Sequence, residues 1–289
     1  MPKQHGATLA ESWFNAVSYE GHIPLEDGDF IGPEGRVHCG KCKEGKEFYL
    51  ERLGRFVPSL CACGRAARAA EDERLRRLAL AEVCAELRRA SLLDGKLAAA
   101  TFDTAQINEA NADAYAIGRG YVKNFAQIAA DTQSDMRGLL LYGPPGTGKS
   151  WLAACIANAL SAENVPVLFL SAPRMLSGSA ESIAETLDIM GRAKLLVLDD
   201  LGAERSTEYR AEQVFNIVET RLNSGKPLIV TTNNPPDVVE GLEARFRRTW
   251  ERLRAMCYPV RMTAGNWRKT LVGDAKERFR EICKQTKGG

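Results

Sequence analysis

The chain has 289 residues, 45% of them apolar, with 39 Lys and Arg against 37 Asp and Glu. That length allows about two domains and a sizeable core. No apolar run approaches the ~20 residues of a membrane-spanning helix, and Met1-Pro2-Lys3-Gln4-His5 lacks the apolar stretch of a secretory leader. A cytoplasmic location without a membrane partner is therefore expected, with the eight cysteines mostly reduced.

The first 38 residues carry few signals. Trp13, Phe14, Val17 and Tyr19 could share one small apolar face, and Gly28 to Gly35 is turn-rich. Cys39 and Cys42 then form one close pair, and Cys61 and Cys63 a second. Between them lie two β-like segments, Glu47–Leu50 and Arg55–Val57. Two pairs of thiols on tight turns suit tetrahedral Zn²⁺ in a closed structural site of the zinc-ribbon kind. A segment this short with few large apolar residues gains stability from such a staple. The second pair is C-x-C where C-x-x-C is commoner. His22 and His38 are spare ligands, and redox-active or reduced thiols are the alternative. Cys84, Cys155, Cys257 and Cys283 are scattered and read as packing or surface residues.

Arg65 to Leu93 contains no Gly or Pro, and Leu80, Val83, Cys84 and Leu87 fall at helical spacing. The pattern predicts one long helix stopping at Asp94-Gly95. Asn111 to Phe125 predicts a further helix, leading to a short apolar strand at Arg137–Tyr142.

Next comes Gly143-Pro144-Pro145-Gly146-Thr147-Gly148-Lys149-Ser150-Trp151. It fits the phosphate-binding loop G-x-x-x-x-G-K-[ST], with the required strand before it and a helix former, Trp151–Leu160, after it. The glycines let backbone N–H groups close on phosphate oxygens, and the helix N-terminus adds partial positive charge. Lys149 would reach the β- and γ-phosphates, and the Ser150 hydroxyl would sit on Mg²⁺.

Val165–Ser171 predicts a second buried strand, and Pro173–Gly191 a mostly helical crossover broken near Ser177-Gly178-Ser179. Lys194-Leu195-Leu196-Val197-Leu198-Asp199-Asp200 has the Walker B pattern, an apolar strand delivering two carboxylates. Asp199 would join the Mg²⁺ shell beside Ser150, and Asp200 would orient the attacking water and accept its proton. A helix is predicted over Thr207–Asn223 and a strand over Pro227–Asn234. Asn233 sits at a strand's C-terminal edge, where ligands bind in open parallel sheets; a turn before Pro235-Pro236 is its alternative role. Glu243–Met256 predicts a basic helix with Arg245, Arg247, Arg248, Arg252 and Arg254, and Tyr258–Met262 a last strand. From Leu242 to Gly289 there are 13 Lys and Arg against 5 Asp and Glu. Such a balance fits either a polyanion-binding surface or a solvated basic helix.

Five parallel strands alternating with helices predict an α/β three-layer fold. The run from about Thr101 to Thr270 resembles the AAA+ ATPases of the DnaC/DnaI helicase-loader type, with the transposition helper IstB a near relative. The resemblance rests on Leu-Tyr-Gly-Pro-Pro-Gly-Thr-Gly-Lys-Ser, Leu-Val-Leu-Asp-Asp-Leu-Gly-Ala-Glu, Ile-Val-Thr-Thr-Asn and the arginine-rich helix before Pro259-Val260. It implies an AAA+ P-loop domain over residues 99–289 and a zinc-ribbon-like, helical, partner-binding region over 1–98. Further implications are ATP as the nucleotide, Asn233 as the γ-phosphate sensor, and Arg252 as a finger acting on a neighbouring subunit's ATP, hence an oligomer. Arg248 is the competing finger and Arg268 a candidate second sensor. The implied function is loading of a hexameric replicative helicase onto single-stranded DNA, with ATP as a switch. The alternatives are an IstB-like helper on duplex DNA and a non-hydrolysing adaptor. One departure stands out: Asp200 occupies a position where many AAA+ proteins carry Glu, which implies slow basal hydrolysis.

Overall fold

The computed structural model describes residues 22–91, 95–177, 180–202, 208–236, 244–263, 265, 267 and 276–283. Trp13, Phe14, Val17, Tyr19, Arg245 (as a side chain) and Arg268 lie outside the described residues. The chain divides into two compact units between Ala79 and Leu80.

In the first unit, β1 (Phe30–Ile31) pairs antiparallel with β2 (Val37–His38), and β3 (Glu47–Leu50) with β4 (Arg55–Pro58). The core is small, and its organiser is a carboxylate. Glu47 is buried and accepts hydrogen bonds from the Val37 amide at 2.8 Å, the Ile23 amide at 3.1 Å and His22 Nδ1 at 2.6 Å. A buried carboxylate is tolerable only with its lone pairs satisfied. Helix α1 (Ala62–Ala90) starts in this unit. Its first half is exposed and laced by Arg74–Glu71 and Arg77–Glu73 pairs, worth only tenths of a kcal/mol each.

The second half of α1 belongs to the second unit and buries Cys84 and Leu87 in it, at the spacing the sequence predicts. This unit is built on a sheet of five parallel strands in the order β6 (Val167–Ser171), β7 (Leu195–Leu201), β8 (Leu228–Thr232), β5 (Gly138–Tyr142), β9 (Cys257–Arg261). Alternate residues serve opposite faces. Leu139, Leu141, Leu195, Val197 and Ile229 pack beneath α2 (Ala112–Lys123), α3 (Phe125–Ala130) and α4 (Lys149–Ala162). Leu140, Leu196, Leu198, Leu228 and Val230 pack against α1, α5 (Ala180–Arg192), α6 (Glu208–Asn223) and α7 (Ala244–Met256). This is the predicted three-layer arrangement, with both faces covered as a parallel sheet requires.

α4 is apolar around most of its circumference because it lies between sheet and helix: Leu152, Ala153, Ala154, Cys155, Ile156 and Leu160 are all buried. Burying one such leucine contributes about 1.5–3 kcal/mol. Across from it, Gly118 lets α2 approach, since a Cβ there would stand 2.8 Å from Leu152 Cδ1.

The other face contains a buried cation. Arg221, 1% exposed, donates to the carbonyl oxygens of Ala193 and Pro227, both at 3.0 Å, with longer contacts to those of Met190 and Lys194. It thereby ties together the segments that enter β7 and β8. Burial draws its guanidinium down to about 10, so it remains charged at neutral pH.

The strand bounds differ slightly from expectation at the site. β8 stops at Thr232, where the Thr232 hydroxyl accepts the Asn234 amide at 3.1 Å and turns the chain out of the sheet. β7 runs one residue further, to Leu201, through an irregularity at the two aspartates.

Candidate active site

The loop after β5 passes through three glycines in left-handed conformation, Gly143 (φ 145°), Gly146 (φ 84°) and Gly148 (φ 92°). At Gly143 the space is closed as well: a Cβ would lie 2.2 Å from the Met262 carbonyl oxygen. The loop is held by its surroundings, the Met262 amide donating to the Tyr142 carbonyl at 2.8 Å and the Trp267 amide to that of Gly146 at 3.0 Å. Thr147 closes it internally, its hydroxyl donating to the Pro144 carbonyl at 2.9 Å.

α4 begins at Lys149 with no side-chain cap and no acidic residue in its first turn. A helix start without a side-chain cap or an acidic residue of its own leaves its first amides and its dipole available to phosphate. Lys149 is buried, and its ammonium donates to the carbonyls of Gly143 at 2.8 Å and Pro144 at 2.9 Å. A positive charge at the base of a glycine cradle is the arrangement expected for β- and γ-phosphate binding.

Asp199 lies beside this loop, buried, with Ser150 and Thr231 as hydrogen-bond partners. Burial pushes its carboxyl above the usual carboxylate range; the hydrogen bonds from Thr231 and Ser150 and the Lys149 charge pull the other way, while the neighbouring Asp200 adds to the rise. A buried anion beside a hydroxyl and a second carboxylate is a site that a divalent cation would stabilise. Asp200 has φ 58°, one of three non-glycine residues described in the left-handed region. This conformation costs on the order of 1–3 kcal/mol and tends to occur where function requires it. It coincides with the register shift between β7 and β8 at Leu198/Leu201, a bulge that re-aims a side chain.

A cleft of about 470 Å³ joins these parts. It is lined by Gly146, Lys149, Ser150, Asp200 and Asn233. Leu97, Tyr115, Trp151 and Trp267 line it too, with Thr104 and Gln106, and a Cβ on Gly148 would stand 3.9 Å from both Trp267 Cδ1 and the Tyr115 hydroxyl. The indole Nε1 of Trp151 is buried without a hydrogen-bond partner.

The structure thus brings together Gly143 to Trp151, Asp199, Asp200 and Asn233. Arg252 is not among the residues lining the cleft: it lies on α7 with Nε 2.9 Å from Glu219 Oε2 of α6. Arg248, on the same helix, is exposed. Sequence reasoning missed Thr231 and, among the residues lining the cleft, Leu97, Thr104, Gln106, Tyr115 and Trp267. Thr231 was signalled only by lying two residues before Asn233, near the end of β8.

In the first unit, Cys39, Cys42, Cys61 and Cys63 converge, their Sγ atoms all within 4.8 Å of one another. Tetrahedral Zn–S bonds of ~2.3 Å place sulfurs about 3.8 Å apart, so the cluster has the dimensions of a metal site. The thiols also behave as a set. Cys42 is drawn below the usual thiol range, first by the Cys63 amide and then by that of Glu44, whereas Cys63 is pushed up mainly by its contact with Cys42. Four adjacent thiolates need a cation to coexist. The two histidines are engaged elsewhere, His22 with Glu47 and His38 with Glu34.

Residues 139–254 match the model of the AAA family, the ATPase family associated with various cellular activities. The chain is 29% identical over 148 residues to the replicative helicase loader DnaI of Bacillus subtilis (strain 168). That match covers 46% of this chain and 48% of DnaI, about half the length of each. It is 27% identical over 242 residues to the phage-like element PBSX protein XkdC of the same organism, covering 81% of this chain and 84% of XkdC. A crystal structure of DnaI is similar with a TM-score of 0.51 at 26% identity, over 61% of this chain and 94% of that one.

Proposed function

From a chain that contains an AAA+ ATPase domain related to the DnaI and DnaC helicase loaders, we infer an ATP-driven loader of a replicative DNA helicase. The observation that carries this is the pairing of a four-cysteine module with a DnaI-like ATPase unit in one chain. The module, over residues 1–98, holds zinc and grips the helicase. The ATPase unit self-associates, holds single-stranded DNA on basic surfaces, and changes its grip with the nucleotide state.

The site residues divide the work. The amides of Gly146 to Ser150 and the Lys149 ammonium hold the phosphates. Trp151, Tyr115 and Trp267, which line the same cleft, offer aromatic surface for the adenine. Ser150 and Asp199 hold Mg²⁺, which when bound neutralises charge on the phosphates. Asp200 orients water for in-line attack and takes up its proton at a carboxylate oxygen. Asn233 senses the γ-phosphate end. Arg252 lies off its own cleft and serves the nucleotide of a neighbouring subunit.

The test is capture of the replicative helicase by the full-length protein, zinc-loaded or chelated, beside a Cys39→Ser variant. Zinc-dependent capture, lost in the variant, is the expected result. A zinc-bound, folded protein that captures no helicase but forms ATP-dependent filaments on duplex DNA would overturn it in favour of a transposition helper.

A further inference from the structure

β7 and β8 run in parallel and reach the cleft side by side. One side chain joins them where the two aspartates emerge. The Thr231 hydroxyl donates to Asp199 Oδ1 at 2.6 Å and accepts the Asp200 amide at 2.9 Å. Thr231 is wholly buried, so no bulk water competes for either bond. A hydroxyl has one proton to give. With that proton committed to Asp199, its lone pairs face the Asp200 amide, and the polarity of the pair is fixed. The second bond also falls on the one residue of β7 whose backbone is left-handed. The bulge that turns Asp200 toward the cleft is thus anchored by a side chain of the neighbouring strand. Two residues beyond Thr231, Asn233 lines the same cleft as Asp200.

We propose that Thr231 is a positioning residue for hydrolysis: its hydroxyl orients the Asp199 carboxylate and fixes the Asp200 backbone, so the metal-shell carboxylate, the water-orienting carboxylate and Asn233 move as one assembly. Thr231 touches neither nucleotide nor water; it acts through the two aspartates. This rests on the roles given above to Asp199 and Asp200. An aliphatic residue of the same shape keeps the packing but leaves the Asp200 amide and Asp199 Oδ1 each short of one buried partner. The acids then lose their mutual register while the phosphate loop keeps its own supports at Met262 and Trp267.

The test compares Thr231→Val, Thr231→Ser and Asp200→Asn in the full-length protein. It measures kcat and KM for ATP, binding of a fluorescent ATP analogue as Mg²⁺ is titrated, and thermal melting. Thr231→Val is expected to lower kcat roughly tenfold or more, with KM changed less than about threefold. It should raise the Mg²⁺ concentration needed for tight analogue binding and leave Mg²⁺-free binding unchanged. Thr231→Ser, which keeps the hydroxyl, should restore kcat to within about threefold of wild type. Three results overturn the proposal: wild-type turnover in Thr231→Val, serine as inactive as valine, or loss of Mg²⁺-free binding and of melting temperature in step with kcat. Thr231→Ala replaces the valine variant if the latter does not fold, with the same expectations. If Asp200→Asn also turns over like wild type, the roles of the acids fail. If Asp200→Asn is inactive while Thr231→Val is not, only the role of Thr231 fails.

Discussion

Arg252 and Glu219 face each other across α7 and α6, Nε to Oε2 at 2.9 Å, with the arginine side chain 48% exposed. A half-exposed pair of this kind contributes at most about 1 kcal/mol, so the guanidinium is cheap to withdraw toward a neighbouring subunit. Arg252→Ala should bind an ATP analogue within about threefold of wild type yet hydrolyse ATP on the order of 10³-fold more slowly. Mixing it with Lys149→Ala protein, which lacks nucleotide binding but keeps Arg252, should restore part of the activity. Normal hydrolysis by Arg252→Ala alone would shift the finger to Arg248.

The Gly143 position tests the phosphate loop without touching its chemistry. Alanine there would combine φ 145° with a Cβ 2.2 Å from a backbone oxygen. We expect a loss of about 2–4 kcal/mol, read as a drop in melting temperature on the order of 10 °C, together with loss of ATP binding. An alanine variant that melts and binds like wild type would show that the loop relaxes freely.

Asp199 stores a cost in the folded protein. Burial raises its pKa above the unfolded value, so between those values the folded state holds the proton more tightly. Stability from this group is therefore lost as pH rises through the raised pKa, and at neutral pH its ionised form is a burden. Asp199→Asn should make the nucleotide-free protein more stable by on the order of 1 kcal/mol, flatten that pH dependence, and abolish Mg²⁺-dependent hydrolysis. Thermal melts from pH 4 to 8 check the first two. A less stable asparagine variant at every pH would contradict the burial account.

The four-cysteine cluster should carry one zinc per chain by elemental analysis. Chelation or Cys39→Ser should unfold the first unit, whose core is too small to hold alone. The melting of the second unit should move by no more than a degree or two. Protein purified without zinc that still gives a folded first unit would exclude a structural metal.

Asp200 also sets an expectation for rate. A carboxylate one methylene shorter than Glu reaches less far toward the water, and basal turnover should stay below roughly ten per second. Asp200→Glu should bring no gain, because the left-handed backbone at φ 58° favours Asp over Glu. Single-stranded DNA affinity, if the basic C-terminal quarter carries it, should fall steeply with salt. A flat response assigns those arginines to other partners.

Much of this site was legible because its chemistry lies in contiguous runs. Arg137 to Ser150 and Leu195 to Asp200 each combine a buried strand with the residues it delivers, and the unbroken apolar runs of strands buried on both faces made both visible. What escaped depends on pairing between strands. Thr231 and Asp199 are 32 residues apart, and nothing local says that a threonine hydroxyl will meet that carboxylate. The bulge at Asp200 is likewise a property of two strands in register. The cleft also draws Leu97, Tyr115 and Trp267 from three segments, and nothing within any one of them marks it as lining. Strand ends were misjudged at Asn233 because its exit from the sheet is set by a side-chain hydrogen bond of Thr232 and not by hydropathy.

β9 forms one border of the five-stranded sheet and includes Pro259, opposite Leu140 of β5. Proline brings no amide proton, and the adjacent Tyr258 and Arg261 are exposed. Among the described residues β9 pairs with no strand but β5, and a border interrupted in this way is a poor template for a foreign strand. The reversible self-association proposed above would gain from that: contact through sheet extension would be permanent and indifferent to nucleotide, and this border discourages it.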